Sequence, residues 1–328
     1  MLRVAVVGLG KMGQRHADAW NRLDNTEVVA LVGRDESKLS PLTSKWNAAY
    51  FPDVQSLLEK ETIDVLDICL PTFLHYETIT TAIQLQEGLA IVCEKPLCLT
   101  GKEAQEVEAI SEQKQAKIFV GHTLRFDQEY TNLRNHVVEE AVGEVGVVRL
   151  SRKTAFPAGW FADQEKSGGI IMDLGIHDLD WLQWTFGEVE RVMTRHVKKF
   201  SHYPYEYALI VLRMKSGVIA HLELSWGGDG LHTSAEIAGK GGLLVANSDN
   251  KQAIQVHKPQ SSQKVGYLSA DLIGEPPIVR QLRHFRDCII GEEIPVITLH
   301  EAVQAVKVVE AAITSAQTGE VVYMRGGV

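Results

Sequence analysis

A histidine with acidic residues at helical spacing carries the clearest chemical signal in the second half of the chain. Asp173, His177 and Asp180 stand at i, i+4 and i+7 within SGGIIMDLGIHDLD, so in one helix they would share a face. A neutral imidazole is suited to remove a hydroxyl proton, and either carboxylate could orient it or bind a neighbouring hydroxyl. Capping with ion pairing on an exposed face and a metal site are the alternatives; we predict no metal.

Lys95 is the second candidate catalytic group. The tripeptide Glu94-Lys95-Pro96 follows the apolar run LAIVC, at the expected carboxyl edge of a parallel sheet, where open α/β folds bind ligands. A lysine there can hold a substrate hydroxyl and stabilise the alkoxide that precedes hydride loss. Glu94 and Lys95 are also predicted to contact the cofactor. A lysine after a strand is more commonly a solvated surface residue. Pro96 favours the catalytic interpretation because it restricts the backbone beside Lys95, and X-Pro bonds also adopt the cis form in a minority of cases.

A glycine-rich turn follows the first apolar run of the chain. Gly8 allows a tight turn, Gly10 lets the backbone approach a pyrophosphate at a helix N-terminus, and Gly13 permits close packing of helix on strand. Glycine turns also arise by chance, but here a strand precedes and a helix and a second strand follow. We therefore predict dinucleotide binding by the segment that comprises Gly8, Gly10, Lys11, Met12 and Gly13.

The end of the second predicted strand bears on the choice between NAD and NADP. A carboxylate about 20 residues after the glycines binds the ribose 2′-hydroxyl of NAD. In EVVALVGRDESK that place is taken by Gly33 and Arg34, with Asp35 two positions late. A guanidinium without a carboxylate suits the 2′-phosphate of NADP, so the sequence favours NADP. The alternative is that Arg34 points to solvent and Asp35 reaches the ribose.

Five further residues give weaker signals. Pro71, Thr72 and His75 follow the third strand and could touch the cofactor, although a turn at the start of a helix explains them equally well. Arg125, in GHTLRF, could face the substrate or form an ion pair. Trp160, in AFPAGWF, lies in a predicted loop ahead of the His177 helix, where it could line a substrate pocket.

The elements that would position these residues differ between the two halves of the chain. In the first, continuous apolar runs alternate with amphipathic helical segments, which predicts buried parallel strands with right-handed crossovers. The predicted strands are RVAVVG, EVVALVG, DVLDICLP, LAIVCEKP and KIFVGH, and the predicted helices span residues 13–22, 36–46, 75–86 and 101–114. We expect a doubly wound dinucleotide-binding domain over residues 1–122.

The second half, residues 123–328, is predicted to be an α+β domain. Long runs with period two, such as YEYALIVLRMKSGVIAHLELSWG, indicate an antiparallel sheet with one packed and one exposed face. The segment KPQSSQKVG is polar and aperiodic and is predicted to be a surface loop. The helices are expected at residues 127–140, 168–185, 276–291 and 300–317.

Composition excludes several classes of protein. The chain has 328 residues, about twice a typical domain length of ~150, and 45% of them are hydrophobic, as in ordinary folded proteins. A net charge of −9 disfavours nucleic acid and anionic membranes as partners. No apolar run approaches the length of a membrane span or a signal segment. The four cysteines form no CxxC pair, so we expect a reducing, cytoplasmic location.

Taken together, the motifs resemble the Gfo/Idh/MocA family of oxidoreductases. The resemblance covers nearly the whole chain, and its most specific part is EKP followed some 80 residues later by DxxxH. It implies a Rossmann domain plus an α/β domain with a large, open, mostly antiparallel sheet, through which members form dimers or tetramers. It also implies hydride transfer between NAD(P) and a carbon that bears a hydroxyl, in a sugar, polyol, inositol or related small molecule.

The resemblance also assigns roles to individual residues. It implies that Lys95 is the catalytic lysine, His177 the acid/base, Asp173 a substrate-binding or histidine-orienting carboxylate, and Arg125 an arginine that faces the substrate. Two departures bear on specificity: Gly33-Arg34 stand where many relatives have an aspartate, and Thr123 where an Asn or Gln is common. A regulatory NAD(P)-binding protein without turnover and a nicotinamide-dependent glycosidase of the same fold are the alternative functions.

Overall fold

In a computed structural model, the chain divides into two units, each built from two segments. The first unit comprises Met1–Phe126 and Glu275–Val306, and the second comprises Asp127–Gly274 and Lys307–Val328. The structure describes residues 1–199, 204–250, 254–257, 265–268 and 274–324. The predicted division at residue 122 differs from these units because residues 275–306 pack with the first unit.

The first unit contains a six-stranded sheet in which every pair of neighbouring strands is parallel, as predicted. The strands lie in the order β3-β2-β1-β4-β5-β6. Their central residues are almost entirely buried, which explains the continuous apolar runs. The strands are β1 (Leu2–Val7), β2 (Thr26–Val32), β3 (Ala49–Phe51), β4 (Val65–Ile68), β5 (Ala90–Glu94) and β6 (Lys117–Gly121).

Helices connect these strands and begin at well-defined caps. Thr100 and Glu103 form a capping box, and Asp53 accepts a hydrogen bond from the Ser56 N–H, so both satisfy backbone donors at a helix start. Strand β3 and the helix after it were not expected, since three residues are too few to show a period. The helices are α1 (Lys11–Trp20), α2 (Glu36–Trp46), α3 (Val54–Lys60), α4 (His75–Leu85) and α5 (Gly101–Lys114).

The second unit contains a nine-stranded sheet that is mostly antiparallel, as predicted; only β7 and β10 pair in parallel among the described strands. The order is β14-β13-β12-β11-β7-β10-β9-β8-β15. Side chains of β9 and β10 alternate between buried and half-exposed, the pattern of a sheet covered on one face. The strands are β7 (Val145–Thr154), β8 (Val189–Lys199), β9 (Tyr205–Met214), β10 (Ile219–Trp226), β11 (His232–Gly239), β12 (Gly242–Asn247), β13 (Ile254–His257), β14 (Val265–Leu268) and β15 (Val322–Tyr323).

The helix predicted over 168–185 is wrong as a single element. It is divided at Leu174 into two helices, and the first of these begins after two consecutive residues with positive φ, Gly168 and Gly169. The predicted loop KPQSSQKVG lies outside the described residues up to 264, and its last two residues belong to β14. The helices of this part are α6 (Gln128–Val138), α7 (Gln164–Ser167), α8 (Gly169–Asp173) and α9 (Gly175–Phe186).

Two C-terminal helices appear where they were predicted, α10 (Pro277–Ile290) and α11 (Leu299–Thr318). Helix α10 packs with the first unit, where Phe285 lies against Phe119 and Phe126 with ring centroids 5.4 and 5.8 Å apart. Of the helices in the described part of the chain, none is both long and apolar enough to cross a membrane.

Candidate functional site

The glycines of the turn after β1 are required by close contacts. Gly8 has a φ of +88°, and a Cβ there would lie 2.8 Å from the carbonyl oxygen of Cys69. A Cβ on Gly13 would lie 2.0 Å from the carbonyl oxygen of Gly8, so no side chain fits there. A Cβ on Gly10, in contrast, would meet nothing within 4 Å. The roles predicted for Gly8 and Gly13 in turn formation and packing therefore hold, and Gly10 leaves space for an approaching ligand.

The start of α1 has the features of a candidate anion site. Gly10 is the N-cap residue and supplies no side-chain hydrogen bond to the helix, and Lys11 and Met12 are exposed in the first turn. The strand order reverses direction at β1 and β4, which places a ligand-binding crevice beyond the carboxyl ends of these strands. Uncapped N–H groups and the helix dipole at this place favour a phosphate.

Two residues after β2 could select the cofactor, Arg34 and Asp35, and their surroundings differ. Asp35 caps α2: its carboxylate accepts hydrogen bonds from the Ser37 hydroxyl at 2.6 Å and the Lys38 N–H at 3.4 Å. These bonds lower the pKa of Asp35 to about 2. Arg34 is exposed. The carboxylate is therefore engaged in starting a helix, while the guanidinium projects into solvent.

His75 joins the segment after β4 to the EKP segment. Its Nδ1 lies 2.8 Å from the carbonyl oxygen of Pro96, and its Nε2 lies 2.8 Å from that of Leu70. The ring is buried, which lowers its pKa despite these carbonyls. Both ring nitrogens thus face backbone, and a contact with cofactor by His75 stays a prediction, as it does for half-buried Pro71 and buried Thr72.

The EKP segment begins at the last residue of β5. Glu94 is buried, Lys95 is half-buried, and the peptide bond between Lys95 and Pro96 is cis. Because all six strands are parallel, Lys95 follows β5 at the same edge of the sheet at which the glycine turn follows β1. The first unit thus brings a candidate phosphate site and a candidate catalytic ammonium to one edge of one sheet.

In the interior of the first unit, an imidazole lies between two carboxylates. Sequence analysis did not identify this arrangement. His16 Nδ1 is 2.8 Å from Asp67 Oδ2, and His16 Nε2 is 3.0 Å from Glu94 Oε1. Trp20 Nε1 donates to Asp67 Oδ2 at 2.7 Å. Burial alone would lower the pKa of His16, but the Asp67 carboxylate outweighs it and holds that pKa well above its ordinary value. An aspartate within the apolar strand DVLDI was the one available signal.

The same place contains a set of atoms that a metal could bridge. The side-chain donor atoms of His16, Asp67 and Cys69 lie within 4.8 Å of one another. However, the Asp67 carboxylate already accepts hydrogen bonds from His16 and Trp20. Burial also raises the pKa of the Cys69 thiol, which disfavours the thiolate that a metal requires. The donor set suits an ion-pair cluster better than a metal.

In the second unit, Asp173 ends α8 and His177 lies in the first turn of α9, on either side of the division at Leu174. Both side chains are half-buried, whereas that of Asp180 is buried. Gly175 permits close packing here, because a Cβ would lie 2.9 Å from the Leu224 side chain of β10. The argument from one continuous helix therefore fails, although the three residues stay in consecutive helical segments.

A buried glutamate fixes the start of α8. Glu206 Oε1, from β9, accepts hydrogen bonds from the Ile170 N–H at 3.2 Å and from His196 Nε2 at 3.0 Å. Its other oxygen lies 3.0 Å from Lys198 Nζ. Burial would raise the pKa of Glu206, but these donors lower it, so the carboxylate is ionised.

A buried ion pair fixes the start of α9, next to His177. Arg152, from β7, donates to both oxygens of Asp178, at 2.5 Å from Nε and 2.9 Å from Nη2. Nη2 also donates to the Tyr130 hydroxyl at 2.8 Å. Sequence reasoning concentrated on Asp173 and Asp180 and did not identify Asp178, whose partner is 26 residues away in the chain.

Arg125 makes the ion pair that was weighed as its alternative role. Its Nη1 donates to the carbonyl oxygen of Val296 at 2.9 Å and to Glu301 Oε1 at 3.0 Å, and the side chain is buried. These contacts tie the segment after β6 to the segment before α11. A substrate contact by Arg125 stays a prediction.

Trp160 lies in a 3₁₀ turn of the second unit, Gly159–Ala162. Its ring stacks on that of Phe161, with centroids 3.9 Å apart and an interplanar angle of 26°. Phe161 is exposed, so the pair forms an aromatic surface ahead of α8. The candidate residues are thus divided between the units: the glycine turn, Arg34, Lys95 and Arg125 lie in the first, and Trp160, Asp173 and His177 in the second.

The fold and these features define a class: an oxidoreductase with an NAD-binding Rossmann domain followed by an α/β domain. Residues 2–122 match the family model described as "Oxidoreductase family, NAD-binding Rossmann fold". Residues 134–324 match the model described as "Oxidoreductase family, C-terminal alpha/beta domain". The chain therefore belongs to the Gfo/Idh/MocA family of oxidoreductases, and the resemblance inferred from the sequence motifs is confirmed.

Characterised relatives are named as dehydrogenases. The chain is 26% identical to a myo-inositol 2-dehydrogenase of Thermotoga maritima, over 81% of each chain. It is 24% identical to a D-apiose dehydrogenase of Paraburkholderia graminis, over 98% of this chain and 89% of the relative. Among solved structures, GenD2 from gentamicin A biosynthesis, in complex with NAD, superposes with a TM-score of 0.87 at 23% identity. That alignment covers 99% of this chain and 97% of GenD2, and at this identity it shows the shared fold.

Proposed function

We propose that this oxidoreductase transfers a hydride between NAD(P) and a hydroxyl-bearing carbon of a sugar, polyol, inositol or related small molecule. The observation that carries the proposal is the common edge of the first sheet, which holds the phosphate-binding turn after β1 and Lys95 after β5. The names of the inositol and apiose dehydrogenases support the substrate class. Bound at this edge, the nicotinamide would supply the hydride acceptor.

The residues of the chain would handle the hydroxyl group and its proton. Lys95 donates a hydrogen bond to the hydroxyl oxygen and stabilises the negative charge that develops on it. His177 accepts the hydroxyl proton in the oxidative direction and returns it in the reductive direction. Asp173 orients His177 or binds a neighbouring hydroxyl, and Trp160 and Arg125 contribute to substrate binding.

NADP is the preferred cofactor in this proposal, and NAD is the alternative. Support comes from the contrast between Asp35, whose carboxylate caps α2, and Arg34, whose guanidinium is exposed at the end of β2. A 2′-phosphate would receive charge-assisted hydrogen bonds from Arg34 and would meet no carboxylate committed to the ribose. The bound NAD of GenD2 belongs to a protein that shares the fold alone.

We further propose that the protein is cytoplasmic and forms a homodimer or homotetramer through the nine-stranded sheet. The face of this sheet opposite the buried side chains carries exposed apolar side chains, among them Met193, Val197 and Tyr205. A second copy of the sheet would bury them. Light scattering of the wild type and of Val197→Glu tests this: the variant should dissociate, whereas Ile294→Glu, on an exposed residue of the first unit, should not.

The test of the proposed activity is nicotinamide absorbance with purified protein, NAD or NADP, and a panel of inositols, aldoses, sugar acids and their keto forms. On the substrate that is turned over, Lys95→Met and His177→Ala should each lower the rate by about 10²–10⁴. The matched controls Lys102→Met and His300→Ala alter exposed residues and should leave the rate unchanged. A folded His177→Ala variant with turnover close to wild type would contradict the assignment.

The same assay, extended to glycosides of these sugars, separates the two alternative functions. Tight binding of NAD(P) without turnover on any compound would favour a regulatory protein. Cleavage of a glycoside by protein that purifies with bound nicotinamide, without net reduction of the cofactor, would favour the glycosidase. Both outcomes would overturn the dehydrogenase proposal and leave the family assignment intact.

A further inference from the structure

The imidazole of His16 lies between two carboxylates in the interior of the first unit. Both His16 and Asp67 have no exposed surface, and Glu94 is 7% exposed. A neutral imidazole has one N–H, whereas the two carboxylates can only accept. If both carboxyl groups are ionised, the hydrogen bonds at 2.8 Å to Asp67 and 3.0 Å to Glu94 need an N–H on each ring nitrogen, which is the imidazolium form that the raised pKa of His16 favours.

The contact between His16 and Glu94 connects the helix after the phosphate-binding turn to the segment that contains Lys95. His16 belongs to α1, three residues after Gly13 of the phosphate-binding turn, and Glu94 is the residue before Lys95. Gly121 leaves room for the Glu94 carboxylate, because a Cβ at this position would lie 2.9 Å from Oε1. The Glu94 carboxylate is thus held by its hydrogen bond to His16, directly before the residue proposed to be catalytic.

A purely stabilising role explains this arrangement poorly. Three ionised groups in the interior carry a large desolvation cost, and well-packed apolar residues usually stabilise a fold as well or better. The charges of Glu94 and Lys95 also interact. Burial raises the pKa of Glu94, whereas the hydrogen bond and charge of His16 lower it, and the Lys95 ammonium lowers it further. The sign of the side-chain charge therefore alternates along Asp67, His16, Glu94 and Lys95.

We propose that His16 is a positioning residue for the reaction: anchored by Asp67, it holds Glu94 and thereby fixes the Lys95 ammonium relative to the phosphate-binding turn. The proposal rests on the proposed role of Lys95. It predicts that His16 acts on the catalytic step through Lys95 and not through the affinity for the nucleotide.

The first test measures Lys95 directly and needs no substrate. Whole protein is treated briefly with trinitrobenzenesulfonate, and modification of Lys95 is quantified by peptide mass spectrometry against exposed Lys102 in the same sample. In Glu94→Gln and His16→Gln the relative rate at Lys95 should rise several-fold, because the ammonium loses a fixed carboxylate neighbour. Trp20→Phe is the matched control, since it removes another hydrogen bond to Asp67 without contacting Glu94. Equal rates in all four proteins would refute the proposal.

The second test uses turnover on the substrate found with the panel. His16→Gln should lower kcat by about 100-fold, the cost of a catalytic group displaced by about 1 Å, with little change in KM or in the dissociation constant of NADPH. In a Lys95→Met background, His16→Gln should have no further effect, whereas a structural role would add its own loss. Glu94→Gln retains an acceptor for His16. The same kinetic measurement can therefore be made on Glu94→Gln if His16→Gln does not fold.

The outcomes separate this proposal from the proposed function. If Lys95→Met turns over like the wild type, the role of Lys95 is wrong, and the positioning role is wrong with it. If Lys95→Met shows the expected loss of rate but His16→Gln behaves like the wild type in both tests, the function stands and the positioning role is wrong.

Discussion

Arg152 and Asp178 form a buried, bidentate ion pair directly beside the candidate acid/base His177. Burial would lower the pKa of Arg152, but Asp178 raises it above its ordinary value, so the guanidinium stays charged. The pair connects the central strand β7 to the first turn of α9. It fixes the helix that carries His177 and has no direct part in the proposed chemistry.

Breaking this ion pair should destabilise the second unit. Arg152→Met leaves the Asp178 carboxylate buried without its partner and should cost about 3–5 kcal/mol of unfolding free energy. The measurement is urea denaturation followed by circular dichroism. Arg149→Met, on the same strand as Arg152, is the matched control. It breaks the exposed ion pair with Glu236 of β11 and should cost about 0–1 kcal/mol. Similar losses in both variants would contradict the assignment.

Two glycine substitutions should differ in their effect on stability. Gly10→Ala adds a methyl group where nothing lies within 4 Å, so the variant should melt like the wild type but bind nucleotide more weakly. Gly13→Ala places a Cβ 2.0 Å from a backbone oxygen and should lower the melting temperature as well. Thermal melts and NADPH fluorescence titrations distinguish them. Unchanged nucleotide affinity in Gly10→Ala would exclude this turn as the phosphate site.

Arg34 should discriminate between the two nicotinamide cofactors. Loss of a charge-assisted contact of about 1.5–3 kcal/mol corresponds to a roughly 10- to 100-fold weaker affinity for NADPH in Arg34→Ala. The affinity for NADH should change little, and the exposed control Arg22→Ala should affect neither. Equal losses for both cofactors in Arg34→Ala would contradict the preference for NADP.

The ion pair between Arg125 and Glu301 should make part of the stability depend on pH. Burial would raise the pKa of Glu301, but hydrogen bonds from Thr298 and the charge of Arg125 lower it. A lowered carboxyl pKa stabilises the fold above the unfolded value of about 4.3 and ceases to do so as the pH falls through the folded value.

Glu301→Gln tests this dependence, because glutamine matches a protonated glutamate in shape and charge. The variant should melt a few degrees below the wild type at pH 7, and the difference should shrink steadily as the pH falls below about 4. Differential scanning fluorimetry across this range provides the measurement. A difference that is independent of pH would mean that the charge of Glu301 is unimportant.

The sequence predicted those features that depend on local patterns. Buried parallel strands, the alternating second sheet and the turn from Gly8 to Gly13 all follow from periodicity and from the conformational freedom of glycine. The break at Leu174 was missed because the apolar pattern continues through it. Local sequence contains too little information to place a break of one residue.

Contacts between distant residues could not be predicted in the same way. His16 meets Asp67 across 51 residues, and Arg125 meets Glu301 across 176. Such pairs depend on how helices pack on strands, which one sequence does not specify. A catalytic role for Lys95 was predicted because Lys95 follows a strand end, and it stays a prediction, whereas the contacts of His16 with Asp67 and Glu94 became visible only in three dimensions.

The discontinuous make-up of the first unit has a consequence for protein engineering. The guanidinium Nε of Arg280 donates to the carbonyl oxygen of Phe126 at 2.9 Å, so the chain re-enters the unit close to where it leaves. Residues 127–274 of the second unit are thus inserted between Phe126 and α10, and the rest of that unit, residues 307–328, follows the second segment of the first unit. A fragment that ends at residue 126 would expose the face of Phe119 that Phe285 covers. A minimal cofactor-binding module should therefore splice residues 1–126 to the α10 segment through a short glycine linker.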